Sequence, residues 1–188
     1  MNKTAIIIPS RLDALRLPNK PLKLINNKEM ILHVYEAAKK TNTGEVYVAT
    51  PDQKIIDVIT SNGGKAFLTS LNHQTGTDRI YEVFKTKLKS EPNVIVNLQG
   101  DMPNIDPQAI TDLVSYMHKD QCDIGTLASS FSSESELIDE NNVKVAVKDK
   151  LATNIFQKAT DFFRIGVKNY KNFYHHVGIY AFTNKALV

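Results

Sequence analysis

The chain has 188 residues, of which 42% are apolar and 23% are charged, and its formal net charge is +3. This composition is typical of a soluble globular protein that is long enough to bury one sizeable core. Basic and acidic residues are spread along the chain without a dense Lys/Arg run, which argues against nucleic acid or a polybasic membrane contact as a partner.

The cysteine content and the N-terminal segment indicate the compartment. Cys122 is the only cysteine, which excludes an internal disulfide framework and a multi-cysteine zinc site and favours a reducing environment. The first apolar run, residues 5–8, is too short for a signal peptide or a membrane span. We therefore expect a cytoplasmic protein that does not insert into a membrane.

Apolar runs of strand length alternate with amphipathic stretches through the first two thirds of the chain. This alternation predicts an α/β fold with a mainly parallel sheet covered by helices on both faces. The predicted strands are residues 4–9, 45–50, 65–70 and 93–101. The predicted helices are residues 30–40, 52–64, 77–88 and 106–119, the last with Asp106 as N-cap and Pro107 at its first position.

After Cys122 the pattern changes to strand-like runs at residues 123–131, 142–149 and 175–182. A short helix is predicted at residues 133–140, and another helix begins after residue 182. These strands are expected to complete a mixed sheet and to form one wall of a site, rather than a second domain.

Three loops at the carboxyl ends of predicted strands are chemically unusual, and ligands of open α/β sheets bind at that edge. The first loop holds Arg11, Arg16 and Lys20 between prolines that stiffen it. Arginine and lysine together suit a triphosphate, although a solvated basic loop is the simpler interpretation. Neither a Walker A loop nor a glycine-rich dinucleotide turn is present in the sequence.

The second and third loops each allow two interpretations. In "NHQTGTDR", residues 72–79, Gly76 permits close approach to a ligand, but a helix capped by Thr75 or Thr77 explains most of the same letters. Asp101 follows Gly100 after the fourth strand, where a carboxylate either holds Mg²⁺ or belongs to a simple turn. The histidine pair before "VGIYAF" is either a surface feature or part of a pocket.

The segments "IIIPSRLDALRLPNKPL", "HQTGTDR", "VIVNLQGDMP" and "HHVGIY", in this order and spacing, resemble the 3-deoxy-D-manno-octulosonate (Kdo) cytidylyltransferases, also called CMP-Kdo synthetases. The resemblance covers nearly the whole chain. It implies a three-layer, Rossmann-like fold of the glycosyltransferase-A type, with a mixed and mainly parallel sheet. It also implies transfer of CMP from CTP to the anomeric hydroxyl of Kdo for lipopolysaccharide biosynthesis, Mg²⁺ as cofactor and a homodimer.

The resemblance also assigns roles to residues that match the family's motifs. Arg11, Lys20 and Asp101 would be catalytic, with Asp101 as the metal ligand. The nucleotide would lie against Pro9, Ser10, Arg11, Lys20, Thr77, Arg79 and Gln99, and the sugar against Arg16, Gln99, Lys158, His176 and Tyr180.

Three departures from the family pattern keep alternatives open. Met102 stands where the family usually has Glu, and Lys158 in "FQKATDFF" replaces an arginine. Family members continue past the position of Val188 with a second Mg²⁺-binding Asp, so the resemblance implies one nucleotidyltransferase domain over residues 1–188 that lacks its C-terminal segment. The alternatives are a cytidylyltransferase for a related acid sugar, such as amino-Kdo or a nonulosonate, and an inactive nucleotide-binding remnant.

Overall fold

The structure is a computed structural model that describes residues 3–13, 17–119, 122–153, 155–165 and 170–188. Its strands are β1 (Thr4–Pro9), β2 (Leu24–Ile25), β3 (Lys28–Glu29), β4 (Glu45–Thr50), β5 (Ala66–Leu68), β6 (Val94–Asn97), β7 (Ile124–Ser129), β8 (Lys144–Val147), β9 (Ala159–Phe163) and β10 (Asn172–Thr183). Its helices are α1 (Met30–Lys40), α2 (Gln53–Ser61), α3 (Gly76–Thr86), α4 (Pro107–Met117), α5 (Glu134–Ile138) and α6 (Asn184–Leu187). None of the helices in these ranges is long and apolar enough to cross a bilayer.

Contacts between residues group the chain into two units. The first unit comprises Met1–Gly125 with Ile179–Val188, and the second comprises Thr126–Gly178.

The first unit is built on a mixed, mainly parallel sheet. Strands β5, β4, β1 and β6 lie side by side in that order and are parallel. The last part of β10 pairs antiparallel with β6, from Tyr180 opposite Asn97 to Thr183 opposite Val94. This arrangement confirms the predicted fold class.

Helices cover both faces of the first unit's sheet. Ile6, Ile7 and Ile8 of β1 are all fully buried, as expected for a strand whose alternate side chains point to two covered faces. Ala5 and Ile7 pack in one cluster with Ile80, Val83 and Phe84 of α3. On the other face, side-chain atoms of Ile8 and of Ile31 in α1 both lie close to Gly100.

The second unit contains an antiparallel group of strands. β8 pairs with β9 and with the first part of β10, where Asn172 lies opposite Val147. Lys144 of β8 is buried, and its ammonium donates to the carbonyl oxygens of Asp139 and Arg164. These two bonds satisfy a charge that would otherwise be costly to bury.

Most predicted elements are present, and the differences have local causes. The hairpin of β2 and β3 is not predicted because two-residue strands carry no periodicity, although Asn26 and Asn27 at its turn have the positive φ angles (49° and 61°) that such a turn requires. β9 is likewise not predicted. β6 is shorter than its predicted run because the residues after Asn97 leave the strand ladder and enter the cleft described below.

Candidate active site

An open cleft in the first unit lies at the carboxyl ends of β1 and β6 and at the start of α3. Its volume is about 280 Å³, near the lower end of the range of small-molecule sites. The predicted site residues that line it are Pro9, Ser10, Arg11, Lys20, Arg79, Gln99 and Asp101. The structure therefore brings together residues from all three loops that the sequence singled out.

Two glycines allow the three loops to meet at Pro9. A Cβ atom added to Gly76 would lie 3.0 Å from the Cγ of Pro9, and one added to Gly100 would lie 3.0 Å from the Pro9 carbonyl oxygen. A larger side chain would require the Pro9 ring to shift at Gly76 and the Pro9 backbone to shift at Gly100. The glycines at these two positions hence serve close approach of the loops to one another.

Hydrogen bonds donated by backbone amides hold the loop after β1 in place at both ends. The Ser10 amide donates to the Ala49 carbonyl at 3.0 Å, and the Leu12 amide donates to Oδ2 of Asp52 at 2.8 Å. The amide of Asn19, a residue with a φ of 56°, donates to the Leu12 carbonyl at 3.1 Å. Asp52 directly precedes α2 at the N-cap position, but its carboxylate accepts no hydrogen bond from that helix and anchors this loop instead. Arg16 lies outside the described residues.

The side chain of Ser10 is buried at the cleft. Ser10 is 8% exposed, and among the residues that the structure describes its hydroxyl oxygen has no hydrogen-bond partner. Buried polar atoms in folded proteins are nearly always satisfied. The Ser10 hydroxyl is consequently suited to a polar ligand group in the cleft.

Arg79 places a buried positive charge at the cleft. Its side chain is 3% exposed, and Nη1 donates to the Thr69 hydroxyl at 2.5 Å and to the Ser70 carbonyl oxygen at 2.9 Å. Burial lowers the pKa of Arg79, and the charge of Arg11 lowers it further. Two arginines that repel each other at one cleft favour an anionic ligand between them.

Lys20, on the loop after β1, places a positive charge at the cleft, and Asp101, on the loop after β6, places a negative charge there. The ammonium of Lys20 donates to Oδ2 of Asp101 at 2.8 Å. Both side chains remain partly exposed, at 36% and 52%. The pair is therefore accessible to a ligand in the cleft.

The buried residue Asn97 orients two predicted site residues and is not identified by the sequence analysis. It is 1% exposed; Nδ2 donates to the Thr77 hydroxyl at 3.3 Å, and Oδ1 accepts from Nε2 of Gln99 at 3.0 Å. Thr77 is exposed and does not line the cleft, whereas Gln99 does. The helix N-cap is Thr75, whose hydroxyl accepts from the Asp78 amide at 3.1 Å.

The cleft also contains a histidine that the sequence analysis does not select. His73 lines the cleft, and its Nε2 lies 2.5 Å from Oε2 of Glu82. Burial alone would raise the pKa of Glu82, but the hydrogen bonds from His73 and the Ser70 amide lower it below its ordinary value. The only signal in the sequence is the position of His73 at the start of the "HQTGTDR" motif.

The residues predicted for the sugar lie in both units. In the second unit Lys158 is exposed. His176 is 9% exposed, its Nε2 lies 2.9 Å from the Thr126 hydroxyl, and its ring packs edge-to-face with that of Phe162. Burial lowers the pKa of His176, and the neighbouring His175 lowers it further. In the first unit Tyr180 lies opposite Asn97, and burial raises its pKa.

Asp101 is the carboxylate of the cleft that could bind a metal ion. Within the described ranges, no three His, Cys, Asp or Glu side chains converge on a point where they could hold a metal ion. Mg²⁺ does not need such a cluster, because it commonly uses one or two carboxylates and completes its shell with phosphate oxygens and water. Asp101, partly exposed at the mouth of a cation-lined cleft, fits that kind of site.

The fold and the cleft agree with the class of protein found by comparison with known families. A family model described as cytidylyltransferase matches residues 5–188. The chain therefore belongs to the cytidylyltransferase family.

Relatives of the chain include cytidylyltransferases for Kdo and for an amino derivative of Kdo. The chain is 40% identical over 98% of its length, and 76% of the relative's, to an 8-amino-3,8-dideoxy-manno-octulosonate cytidylyltransferase of Shewanella pealeana. It is 38% identical over 98% of its length, and 75% of the relative's, to a 3-deoxy-manno-octulosonate cytidylyltransferase of Brucella anthropi. The predicted resemblance to this branch is confirmed.

Solved structures support the same relationship. The structure of a CMP:2-keto-3-deoxy-manno-octonic acid synthetase in complex with CTP matches 98% of this chain and 76% of its own with a TM-score of 0.87 at 37% identity. A 4-diphosphocytidyl-2C-methyl-D-erythritol synthase of Anaerococcus prevotii matches 97% of this chain and 70% of its own with a TM-score of 0.62 at 12% identity. The second match concerns the fold alone.

Proposed function

We propose that this protein transfers CMP from CTP to the anomeric 2-hydroxyl of Kdo, giving CMP-Kdo and pyrophosphate, as a step of lipopolysaccharide biosynthesis. The observation that carries the proposal is the convergence of Arg11, Lys20 and the buried Arg79 on one cleft, with Asp101 beside them. A relative at 38% identity is named for the same activity, and a structure at 37% identity contains CTP.

In the proposed reaction the oxygen of the sugar hydroxyl forms a bond to the α-phosphorus while the bond from that phosphorus to the bridging oxygen breaks. The hydroxyl proton passes to water, and pyrophosphate leaves with the electron pair of the broken bond. Little covalent chemistry is required of the protein, because such transfers are accelerated mainly by positioning and by charge stabilisation. Arg11 and Lys20 would bind the phosphates and stabilise the charge that develops on pyrophosphate. The Ser10 hydroxyl would donate to a phosphate or ribose oxygen.

Asp101 is proposed as the protein ligand of Mg²⁺, together with the phosphate oxygens of CTP. The metal would supply additional neutralisation of the phosphate charge when bound. The ammonium of Lys20 would then exchange its present contact with Asp101 for a phosphate oxygen. The remaining predicted site residues are proposed to contact the two substrates. Those assigned to the nucleotide are Thr77, Arg79 and Gln99. Those assigned to the sugar are Arg16, Gln99, Lys158, His176 and Tyr180.

A second candidate substrate is 8-amino-Kdo. The relative of Shewanella pealeana is named for this sugar and is 40% identical, slightly more than the Kdo enzyme of Brucella anthropi at 38%. Lys158 stands where the family motif has arginine, and lysine cannot reproduce a bidentate contact with a carboxylate. The two sugars have to be compared directly.

The test is release of pyrophosphate in a coupled assay with CTP, Mg²⁺ and either Kdo or 8-amino-Kdo. We expect turnover with CTP and a higher kcat/KM for Kdo. The matched variant Asp101→Asn should lower kcat by at least about a hundredfold while CTP binding is largely kept, since the isosteric amide loses the charge that would hold the metal.

Three outcomes contradict parts of the proposal. Full turnover by Asp101→Asn excludes Asp101 as the metal ligand. A higher kcat/KM for 8-amino-Kdo favours the second substrate. Absence of turnover with both sugars, although CTP raises the melting temperature, favours a nucleotide-binding protein without this activity.

The cellular setting and the assembly form part of the proposal. Residues 1–188 are proposed to act as one nucleotidyltransferase domain in the cytoplasm, where CTP is available. A homodimer is proposed as the assembly that the resemblance to the Kdo cytidylyltransferases implies. Light scattering of the purified protein tests this part.

A further inference from the structure

We propose that Glu82 is a positioning residue for the nucleotide cleft, which it does not line itself. A single carboxylate oxygen of Glu82 holds the His73 ring and the loop that carries the partners of Arg79. The inference rests on the proposed function, because it states how the residues that would contact CTP are kept in place.

The hydrogen bonds of Glu82 connect the loop between β5 and α3 to the helix. Oε2 of Glu82 accepts from the Ser70 amide at 2.9 Å and from Nε2 of His73 at 2.5 Å. The carbonyl of the same Ser70 accepts from Arg79 at 2.9 Å. Ser70 is thus bound on both sides of its backbone, by Glu82 through its amide and by Arg79 through its carbonyl.

The positions of Glu82 and Arg79 on α3 explain how both side chains reach the backbone of Ser70. Arg79 and Glu82 are three residues apart in the helix, so their side chains lie on the same face. His73 and Arg79 line the cleft, whereas Glu82 does not. A displacement of Glu82 would therefore affect the cleft only through His73 and Arg79.

The charge of Glu82 also matters to the cleft. The buried guanidinium of Arg79 is repelled by Arg11, and the carboxylates of Asp52 and Glu82 oppose this repulsion. Asp52 is already used to anchor the loop after β1. Glu82 therefore combines a negative charge near Arg79 with direct control of the loop conformation.

A surface ion pair with no role in binding is the simpler interpretation of His73 and Glu82. Exposed pairs contribute little to stability. These two side chains are only 20% and 27% exposed, and the same carboxylate oxygen also accepts a backbone amide. Hydrogen bonds to charged groups in such places are stronger than those of exposed pairs.

The test compares CTP affinity by titration calorimetry, steady-state kinetics and melting temperature for five proteins. These are the unaltered protein, Glu82→Gln, His73→Gln, the double variant and the control Glu45→Gln. Glu45 is a matched control because its carboxylate also accepts a side-chain hydrogen bond, from Lys65, but at the amino end of β4.

For Glu82→Gln we expect the Kd and the KM for CTP to rise about tenfold, while kcat at saturating CTP changes by less than about twofold. A merely structural role would instead lower the active fraction, and so kcat, without changing the KM for CTP. If Glu82 acts through His73, the CTP affinity of the double variant should be about the same as that of the single variant with the lower CTP affinity. Glu45→Gln should bind CTP like the unaltered protein.

The outcomes separate this inference from the proposed function. If the unaltered protein does not bind CTP, the proposed function is wrong. If it binds CTP and folded Glu82→Gln binds equally well, only the positioning role is wrong. If the two single effects multiply in the double variant, the part of this role that runs through His73 is wrong. Should Glu82→Gln fail to fold, it is replaced by Glu82→Asp, whose shorter side chain keeps the charge but withdraws the carboxylate from His73 and Ser70, and an unchanged CTP affinity of that variant overturns the inference.

Discussion

Lys20 and Asp101 form an ion pair between the loop after β1 and the loop after β6, with 2.8 Å between Nζ and Oδ2. In the proposed function these two groups belong to different ligands, the ammonium to a phosphate and the carboxylate to Mg²⁺. Pairs as exposed as this one stabilise a fold by about 1 kcal/mol or less. CTP and Mg²⁺ can consequently separate the pair at little cost.

The first prediction concerns Lys20→Met, which keeps the length of the side chain and removes its charge. We expect the Kd for CTP, measured by calorimetry, to rise about tenfold or more, since a charge-assisted contact with phosphate is lost. Stability to urea should fall by less than about 1 kcal/mol, because the ion pair is exposed. Lys23→Met is the matched control, as Lys23 is exposed and does not line the cleft. Equal losses in both variants would indicate a general effect of charge.

The second prediction concerns the close approach at Gly100. The added methyl of Gly100→Ala would lie 3.0 Å from the Pro9 carbonyl and 3.3 Å from the end of Ile31. We expect about 1–3 kcal/mol of destabilisation and a weaker affinity for CTP, because the loop after β6 must shift. Urea unfolding and calorimetry measure the two effects.

Gly63→Ala is the control for Gly100→Ala. Gly63 has a φ of 71° with open space around it, so the variant should lose about 1 kcal/mol through backbone strain alone. Its affinity for CTP should not change. If Gly100→Ala also keeps its CTP affinity, the close packing of the loops is not needed for binding.

The third prediction concerns the N-cap of α3. Thr75→Ala removes the hydroxyl that accepts from the Asp78 amide at 3.1 Å and should destabilise the protein by about 1 kcal/mol. Thr75→Ser keeps the hydroxyl and should recover most of this stability. Urea unfolding of both variants is the measurement, and equal stabilities would show that the cap contributes nothing.

The fourth prediction is a pH dependence of stability at His176. Burial lowers the pKa of His176 from the ordinary value of 6.5. The unfolded chain therefore takes up a proton at a higher pH than the folded protein, and stability is lost as the pH falls below that value. The variant His176→Gln lacks this loss of stability. The melting temperature of the unaltered protein minus that of the variant should therefore decrease as the pH falls from about 8 to about 5.5. A difference that stays constant over this range would contradict the assignment.

The sequence allows the central elements and most of the cleft to be predicted. β1, β4, α1 and α4 are found close to their predicted bounds, because a buried apolar run and an amphipathic period are local properties of the chain. The cleft could be predicted because parallel strands end at one edge of the sheet, so the loops after β1 and β6 had to meet. The roles assigned to individual residues remain predictions that the experiments above address.

The amino-acid sequence is sufficient to assign the family, the mainly parallel sheet and the presence of cations and a carboxylate at one sheet edge. The side chains that fix the surrounding loops are visible only in the folded protein: Asp52 binds the Leu12 amide, Asn97 binds Gln99, and Glu82 binds His73 and the Ser70 amide. This is because a hydrogen bond depends on distance and burial in space. Residues that are far apart or irregularly spaced along the chain give no periodic signal of such a contact, so it becomes visible only when the fold brings the partners together.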